Sequence, residues 1–354
     1  MKKYLALILA VGLLLTGCMG TPVVIQDCTC PDSGAATEPV TQPIAGDTAV
    51  KTGLAVITTA TDSTSATAEA PGAVKLDSTL VGVTVDEGGV IRSCYIDSIP
   101  ATVNLDTTGT ITSDLSAAVP TKNELGADYG MVAYGNAIAE WDSQVAALCH
   151  FAVGKTVEQL KNGAIDVTGK APAGSDLASS ATIYLGGFVS AIERAVNNAV
   201  HLGAQEEDAM RLVTLNKLSS SVNATAETEG CVQLDADVAL VTHKDGVITS
   251  CIIDSVQAKV NFDTTGTITT DLGYEFPSKN ELGDGYGMVA WGGAKAEWDA
   301  QAASFAAYVT GKTASEVAGI AINEATKPAD GSDLSNSVTI SIGGFQALIA
   351  KAFA

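Results

Sequence analysis

The feature that most constrains the fold is an internal repeat, in which long stretches recur 157 residues further along the chain. Three pairs of segments show it: Ser93–Ser98 with Ser250–Ser255, Asp106–Thr112 with Asp263–Thr269, and Lys122–Gly126 with Lys279–Gly283. A period of this length is far too long for a solenoid, so the pattern predicts a duplicated domain of about 125 residues. We expect the two domains at residues 76–203 and 231–354, joined by a linker at 204–230.

Apolar patterning within each repeat indicates strands first and helices afterwards. Val81–Val85 and Val90–Ile96 are β-branched runs around the turn Asp86–Gly89, which predicts a hairpin, and Ala101–Leu105 predicts a further strand. Helical spacing follows in both repeats, at Ala137–Val153, Thr156–Lys161, Tyr184–Leu202, Ala294–Val309, Thr313–Val317 and Ile342–Phe353. The order predicts the α+β class, with antiparallel strands and packed helices in two tandem homologous domains.

The N-terminal residues predict export. Met1–Lys3 is basic and Tyr4–Leu15 is an apolar run too short to span a membrane, which is typical of a signal peptide at residues 1–17. The run ends in Leu15–Cys18, which resembles the lipobox of bacterial lipoproteins, where Cys18 would carry the lipid; an ordinary signal peptide is the alternative. Residues 18–75 are rich in Thr, Ala, Pro, Ser and Gly and predict a flexible tether. We therefore expect a protein that is lipid-anchored on the extracellular face of the cell membrane.

Charge and residue types exclude several classes of function. The net charge of −21 disfavours nucleic acid and anionic lipid headgroups as partners. Only three histidines occur, and none recurs at the repeat offset, so a His-based triad or metal site shared by both repeats is excluded. The sequence contains neither a P-loop nor a Gly-x-Gly-x-x-Gly fingerprint. Cys94 and Cys251 occupy matching positions in apolar runs and predict small core residues.

Polar and aromatic residues that recur in both repeats are better guides to a site. They are Lys122/Lys279, Glu124/Glu281, Tyr129/Tyr286, Met131/Met288, Glu140/Glu297, Trp141/Trp298, Gln144/Gln301, Asp176/Asp333 and Thr182/Thr339. The loop Leu-Gly-x-x-Tyr-Gly-Met combines an aromatic ring, a thioether and glycines, which suits contact with a flat apolar ring. A shared fold skeleton explains any one of these residues equally well, and the two tryptophans favour the core because they lie in a helical stripe.

One recurring segment carries hydroxyl groups, Asp176–Thr182 in the first repeat and Asp333–Thr339 in the second. Each is followed by Gly-Gly-Phe and a helical pattern. A threonine in this place can be the N-cap of a helix, or an acceptor for a phosphoester that lies on free backbone N–H groups. The residues by themselves leave both interpretations open.

Asp-x-x-Ser-x-Ala-Thr at residues 176–182 resembles the acceptor motif of the FMN-binding domain, in which the last Thr is esterified to the FMN phosphate by a flavin transferase. The lipobox, the tether and the two copies together resemble the tandem FMN-binding lipoproteins of Gram-positive extracellular electron transfer. The resemblance implies two covalent FMN groups, on Thr182 and Thr339, with Asp176 and Asp333 read by the transferase. It also implies cofactor-binding roles for further residues, namely Ser179, Ser180, Ser337, Lys122, Lys279, Tyr129, Tyr286, Met131 and Met288.

The second copy departs from the motif, with Asn336 in the place of Ser179 and Val338 in the place of Ala181. Because valine is bulkier beside the acceptor, Thr182 is the stronger candidate. The resemblance implies an electron carrier rather than a substrate-specific enzyme, with a membrane quinol-linked donor and acceptors such as free flavin or ferric iron. The alternatives are a structural or ligand-binding surface lipoprotein without flavin, and an FMN-dependent reductase with its own substrate.

Overall fold

The structure, a computed structural model, describes residues 48–354, and its elements follow the same order in both repeats. The first repeat contains β1 (Lys51–Thr59), β2 (Gly72–Val85), β3 (Ile91–Leu105), α1 (Lys122–Leu125), α2 (Met131–Gly135), α3 (Trp141–Ala152), α4 (Val157–Ala164), α5 (Asp176–Ser180) and α6 (Gly186–Asn197). The second contains β4 (Ala209–Lys217), β5 (Gly230–Lys244), β6 (Val247–Phe262), α7 (Lys279–Leu282), α8 (Met288–Gly292), α9 (Trp298–Val309), α10 (Ala314–Ala318) and α11 (Gly343–Ala352). Short 3-10 turns lie at Gly126–Tyr129, Gly283–Tyr286 and Asp333–Asn336.

The strands form two antiparallel sheets of three, in the orders β1-β2-β3 and β4-β5-β6. The predicted hairpin is confirmed as β2 and β3, and the predicted separate strand Ala101–Leu105 is the end of β3. The predicted helices are present with shifted bounds. The helix predicted from Ala137 begins at Trp141, whereas the one predicted to end at Lys161 continues to Ala164. The α+β class predicted from the sequence is confirmed.

Three apolar layers hold these elements together. The central layer joins the two sheets face to face, with Leu54 and Leu80 of the first repeat against Leu234 and Leu240 of the second. The outer layers join each sheet to the helices of its own repeat. Since successive residues of a strand point to opposite faces, β2 supplies Leu80 to the central layer and Val81 to an outer one. The result is a helix–sheet–sheet–helix stack in which both sheets are covered on both faces.

The predicted domain boundaries need correction at their N-terminal sides. Strand β1 lies within residues 18–75, which were predicted as tether, and β4 lies within the predicted linker 204–230. Both are edge strands that pair with β2 and β5. Residues 18–47 of the predicted tether, the predicted signal peptide and Cys18 lie outside the described residues.

The offset between the repeats changes along the chain, which explains why β1 and β4 do not align at an offset of 157 residues. Leu54 of β1 and Leu212 of β4 occupy matching strand positions 158 residues apart. The hairpin turn of the first repeat is one residue longer than that of the second. It joins Val85 to Ile91, whereas the turn of the second repeat joins His243 to Ile248. An alignment of the repeats at an offset of 157 residues is therefore wrong by one residue before this turn. In a strand, an error of one residue matches side chains that lie on opposite faces of the sheet.

The two repeats contact each other through matched interactions and lie within one compact unit. The turns at Gly109 and Gly266 are packed backbone against backbone, and the N–H of Ala66 donates to the carbonyl of Gly266 at 2.9 Å. The closing helix of each repeat pairs with the Lys-Asn-Glu-Leu-Gly segment of the other, through Arg194 with Glu281 at 2.5 Å and through Lys351 with Glu124. Among residues 48–354, no helix is long and apolar enough to cross a membrane.

The described cysteines at positions 94, 149, 231 and 251 are free thiols. Cys251 is buried in the outer apolar layer of the second repeat, and Cys94 packs against the corresponding layer of the first. The predicted role of this matched pair as small core residues is confirmed. Cys149, which has no cysteine counterpart in the second repeat, lies in the same outer layer as Cys94.

We expect Gly109→Ala to destabilise the protein more than Gly89→Ala does. Both glycines have positive φ angles, 80° and 78°, so each alanine costs about 1–2 kcal/mol of backbone strain. At position 109 a Cβ would also lie 2.2 Å from the Gly266 nitrogen, whereas at 89 nothing lies within 4 Å. Overpacking should therefore add about 1–3 kcal/mol to the loss of unfolding free energy of Gly109→Ala, measured in urea. Equal losses for the two variants would contradict the contact between the turns.

Candidate functional site

The structure rules out the N-cap interpretation of the two threonines. Ser175 is the N-cap of α5, and its hydroxyl accepts the N–H of Ala178 at 3.2 Å. Thr182 lies after α5 has ended, four residues before α6 begins at Gly186. Thr339 likewise precedes the start of α11 at Gly343. Helices α6 and α11 have no side-chain cap, so the threonine hydroxyls are not used in helix capping.

A buried glutamine holds each threonine instead. The Oε1 atom of Gln144 accepts the Thr182 N–H at 2.8 Å, the Thr182 hydroxyl at 3.3 Å and the Ile183 N–H at 3.2 Å. Gln301 makes the first two of these contacts with Thr339, with its Oε1 atom at 2.7 Å from the backbone nitrogen and 3.1 Å from the hydroxyl oxygen. Both glutamine side chains are fully buried, whereas Thr182 is exposed and Thr339 is half-buried. Each threonine backbone is thus fixed by a buried amide, to which the threonine hydroxyl also donates.

The glutamines are themselves fixed by the turn that precedes their helix. The Nε2 group of Gln144 donates to the carbonyl of Ala139 at 2.8 Å, and that of Gln301 donates to Ala296 at 2.8 Å. These bonds orient the amide so that its oxygen faces the threonine. The recurrence of Gln144 in both repeats was the only sequence signal for this role, since nothing in the local pattern links residues 38 positions apart.

A glutamate organises the Tyr-Gly-Met loop in each repeat. The carboxylate of Glu140 accepts the N–H groups of Met131 and Val132 at 2.9 and 3.0 Å. Glu297 accepts those of Met288 and Val289 at 2.7 and 2.8 Å. These donors begin helices α2 and α8, whose first N–H groups have no partner within the helix. Each glutamate therefore ties the Tyr-Gly-Met loop to the start of the helix that carries the glutamine.

Lysine and aromatic side chains connect this loop to the Gly-Gly-Phe segment. The Nζ atom of Lys122 lies 5.1 Å from the ring centroids of both Tyr129 and Trp141, within the range of cation–π attraction. Trp141 in turn meets Phe188 edge to face at 5.8 Å. The second repeat has the same arrangement, with Lys279 at 5.0 and 4.9 Å from its two rings and Trp298 at 5.8 Å from Phe345.

In the second repeat these side chains line a cleft of about 530 Å³. Lys279, Tyr286 and Met288, all predicted from the sequence, meet there with Trp298, Ile340 and Phe345. Ile340 directly follows Thr339, so the cleft lies beside Asp333–Thr339, the threonine segment of this repeat. Its volume falls within the range of about 300–1,000 Å³ that small-molecule sites have.

The other predicted residues of the segment lie on its surface. Asp176 and Asp333 are exposed in the first turns of their helices. Ser179 donates its hydroxyl to the carbonyl of Asp176 at 2.6 Å, Ser180 is exposed, and Ser337 donates to the carbonyl of Leu334 at 3.4 Å. Val338 and Ala181 are both buried in the outer apolar layers, so the larger side chain lies in the core, and Thr339 is less exposed than Thr182.

The two threonine segments differ immediately after the threonine. In the first repeat the ring of Tyr184 lies against Gly169 and Gly186, and a Cβ at either glycine would come within 2.5 Å of it. In the second repeat the same place is taken by a hydrogen bond of 2.5 Å between the hydroxyls of Ser341 and Thr326. The first site therefore has an additional, largely exposed aromatic ring that the second lacks.

Two buried aspartates attach the lysine-bearing segments to the sheets. The Oδ1 atom of Asp254 accepts the N–H groups of Ser255 at 2.7 Å and Asn280 at 3.0 Å. Asp97 makes the same contacts in the first repeat, with Ser98 and Asn123. Burial raises the pKa of Asp254 to about 6 and raises that of Asp97 in the same direction, against the hydrogen bonds that these carboxylates accept.

Comparisons with protein-family models, with curated proteins and with solved structures find no match to this chain. Residues 48–354 contain no group of three or more His, Cys, Asp or Glu side chains placed to hold a metal ion. The candidate site is therefore defined by its own geometry: a threonine hydroxyl fixed by a buried glutamine, beside lysine, tyrosine, methionine and tryptophan side chains, twice in one chain.

We expect Gln144→Met to lower the free energy of unfolding by about 2 kcal/mol or more. Methionine keeps the length of the side chain but leaves the N–H groups of Thr182 and Ile183 without an acceptor, at about 1–3 kcal/mol each where they are shielded from water. The exposed Gln159, whose oxygen accepts one N–H at 3.0 Å, provides the control. Gln159→Met should cost about 1 kcal/mol or less. Equal costs would show that the buried amide does not hold the threonine segment.

Asp254→Asn should weaken the dependence of stability on pH. The pKa of Asp254 is raised from 3.8 to about 6 on folding, so its contribution is complete below about pH 4 and is lost as the pH rises through 6. A shift of this size corresponds to about 3 kcal/mol at most. Urea unfolding at pH 4 and pH 7 should show a smaller decline in the variant than in the wild type. An unchanged difference between the two pH values would mean that Asp254 does not titrate in this window.

Proposed function

We propose that this protein is a membrane-anchored, extracellular electron carrier with FMN esterified to Thr182 and Thr339. The observation that carries the proposal is the matched pair of threonines, each held at its backbone N–H and its hydroxyl by a buried glutamine. Here the two hydroxyls share a distinctive setting 157 residues apart, which supports a common chemical role.

The residues of the cleft suit the proposed cofactor. The rings of Tyr286 and Trp298 and the thioether of Met288 offer apolar surface to a flat ring system. Lys279 supplies a positive charge on the same cleft, and Gly344 at the start of α11 contributes to its wall. A helix N-terminus favours an anionic group, since its first N–H groups are free. A flavin bearing a phosphate suits the apolar rings and Lys279, whereas Asp235 and Asp237 on the same cleft oppose an anionic group close to them.

In this proposal each residue has a defined task. The Thr182 and Thr339 oxygens carry the ester. Gln144 holds the backbone N–H groups of Thr182 and Ile183, and Gln301 holds that of Thr339. The exposed Asp176 and Asp333 are accessible to a flavin transferase. Glu140 and Glu297 hold the Tyr-Gly-Met loops in place. When bound, FMN supplies the electron transfer, and the chain supplies its position and electrostatic surroundings.

The proposed setting follows from the predicted lipid anchor and tether. A covalent bond would keep the cofactor on the protein outside the cell, where free flavin diffuses away. A quinol-linked donor in the membrane would supply electrons, and extracellular acceptors such as free flavin or ferric iron would receive them. The acidic surface, with a net charge of −21, is suited to neutral or cationic acceptors rather than to nucleic acid.

Intact mass of the full chain, produced together with a flavin transferase, tests this function. We expect two FMN additions in the wild type and one in each of Thr182→Val and Thr339→Val, because valine keeps the shape of threonine but has no hydroxyl. Ser143→Ala serves as the control, since it removes a neighbouring exposed hydroxyl next to Gln144 and should leave both additions. Absence of any addition from the wild type would favour a surface lipoprotein without flavin. Two additions in both valine variants would place the esters elsewhere.

A further inference from the structure

A second cleft lies between the two repeats, apart from both threonine segments. Its volume is about 670 Å³. One wall comes from the first repeat, through Leu54 of β1 and Val200 after α6, and the other from Ile252 of β6 with Ala306 and Ala307 of α9. Part of this apolar lining is open to water, since Val200 is 52% exposed. The size matches that of sites that enclose small organic molecules.

The cleft exists because the second repeat has small side chains where the first has large ones. At the repeat offset, Ile252 corresponds to Tyr95, Ala306 to Cys149 and Ala307 to His150. The first repeat therefore places a phenol ring, a thiol and an imidazole where the second has an aliphatic side chain and two alanines. The neighbouring aspartate and asparagine are the same in both repeats, as Asp97/Asp254 and Asn123/Asn280.

The first repeat also shows what kind of group suits this environment. Burial raises the pKa of the Tyr95 phenol, while a side-chain hydrogen bond with Asn123 acts against that rise. Asn280, the counterpart of Asn123, lines the cleft of the second repeat. The equivalent of this asparagine is therefore retained beside the open space of the second repeat.

The polar groups of the cleft are mainly hydrogen-bond acceptors. Asp254 is occupied by two backbone N–H groups, and Glu281 is paired with Arg194. Asp299 differs, because its Oδ1 atom is buried and finds no hydrogen-bond partner within the described part of the chain. Asp299 as a whole is half-buried and lines the cleft, so its carboxylate is placed to accept a hydrogen bond from a ligand hydroxyl. The three carboxylates disfavour an anionic ligand.

We propose that this cleft binds a small planar aromatic alcohol, of the phenol or hydroquinone class. Its ring lies against Ile252, Ala306 and Ala307, in the place that corresponds to Tyr95 of the first repeat. Its hydroxyl donates to Asp299. This inference is independent of the proposed flavin function, because neither Thr339, Gln301 nor the aromatic side chains of the threonine site line this cleft.

Titration of the full chain, made without a flavin transferase, tests the assignment. Hydroquinone and p-xylene have similar shapes, but only hydroquinone carries hydroxyl groups. By calorimetry or NMR shifts, we expect hydroquinone to bind about tenfold more tightly than p-xylene, which corresponds to one well-formed buried hydrogen bond. Equal affinities would contradict the proposed class of ligand, and no binding of either probe at millimolar concentration would overturn the site.

Two variants locate the binding. Ile252→Tyr introduces the phenol that the first repeat already carries, and should weaken hydroquinone binding at least about tenfold by filling the cleft. Asp299→Ala should reduce the affinity for hydroquinone to that for p-xylene. Asp142→Ala alters the matching aspartate of the first repeat and should leave the affinity unchanged. Unfolding curves establish that each variant is folded, and unchanged hydroquinone affinity in a folded Ile252→Tyr would place the ligand elsewhere.

Discussion

The structure depends on the apolar layer between the two sheets. Each three-stranded sheet has apolar side chains on both faces, as Leu80 and Val81 of β2 illustrate, so neither face can be left in water. A sheet of this kind needs a layer on each side. The helices of each repeat cover one face, and the other repeat covers the second. Neither sheet is therefore fully covered by the elements of its own repeat, and duplication supplies the missing half of the core.

The contact between sheets brings the loops of one repeat within reach of the closing helix of the other. Arg194 and Lys351 use this proximity to pair with Glu281 and Glu124, next to the lysines that face the aromatic rings. Ion pairs at the surface contribute little to stability, so their main consequence is positional. Each lysine-bearing segment is set by its own sheet, through a buried aspartate, and by the opposite repeat. The geometry of the two threonine sites is in this way linked to the packing of the whole unit.

The two repeats share the same supporting contacts but differ in a few neighbouring side chains, which explains how one chain can contain more than one kind of site. The glutamine, glutamate, lysine and tryptophan contacts are nearly superimposable in distance between the repeats. The differences lie at side chains that border on these contacts, such as Tyr184 against Ser341, and Tyr95 against Ile252. A change in side-chain volume beside these shared contacts alters the size of the neighbouring cleft, while the contacts continue to support the backbone.

The sequence alone determined the repeat, the α+β class, the hairpins and the principal helices, because apolar periodicity and turn residues are local properties of the chain. It also singled out Lys279, Tyr286 and Met288, since they recur in both repeats. Only the tertiary structure decided that residues 51–59 and 209–217 are strands, because edge strands depend on the neighbour with which they pair. It alone showed that Gln144 holds Thr182 and that Val338 is turned into the core. These contacts join residues that are far apart in the chain, and local patterns carry no information about such distances.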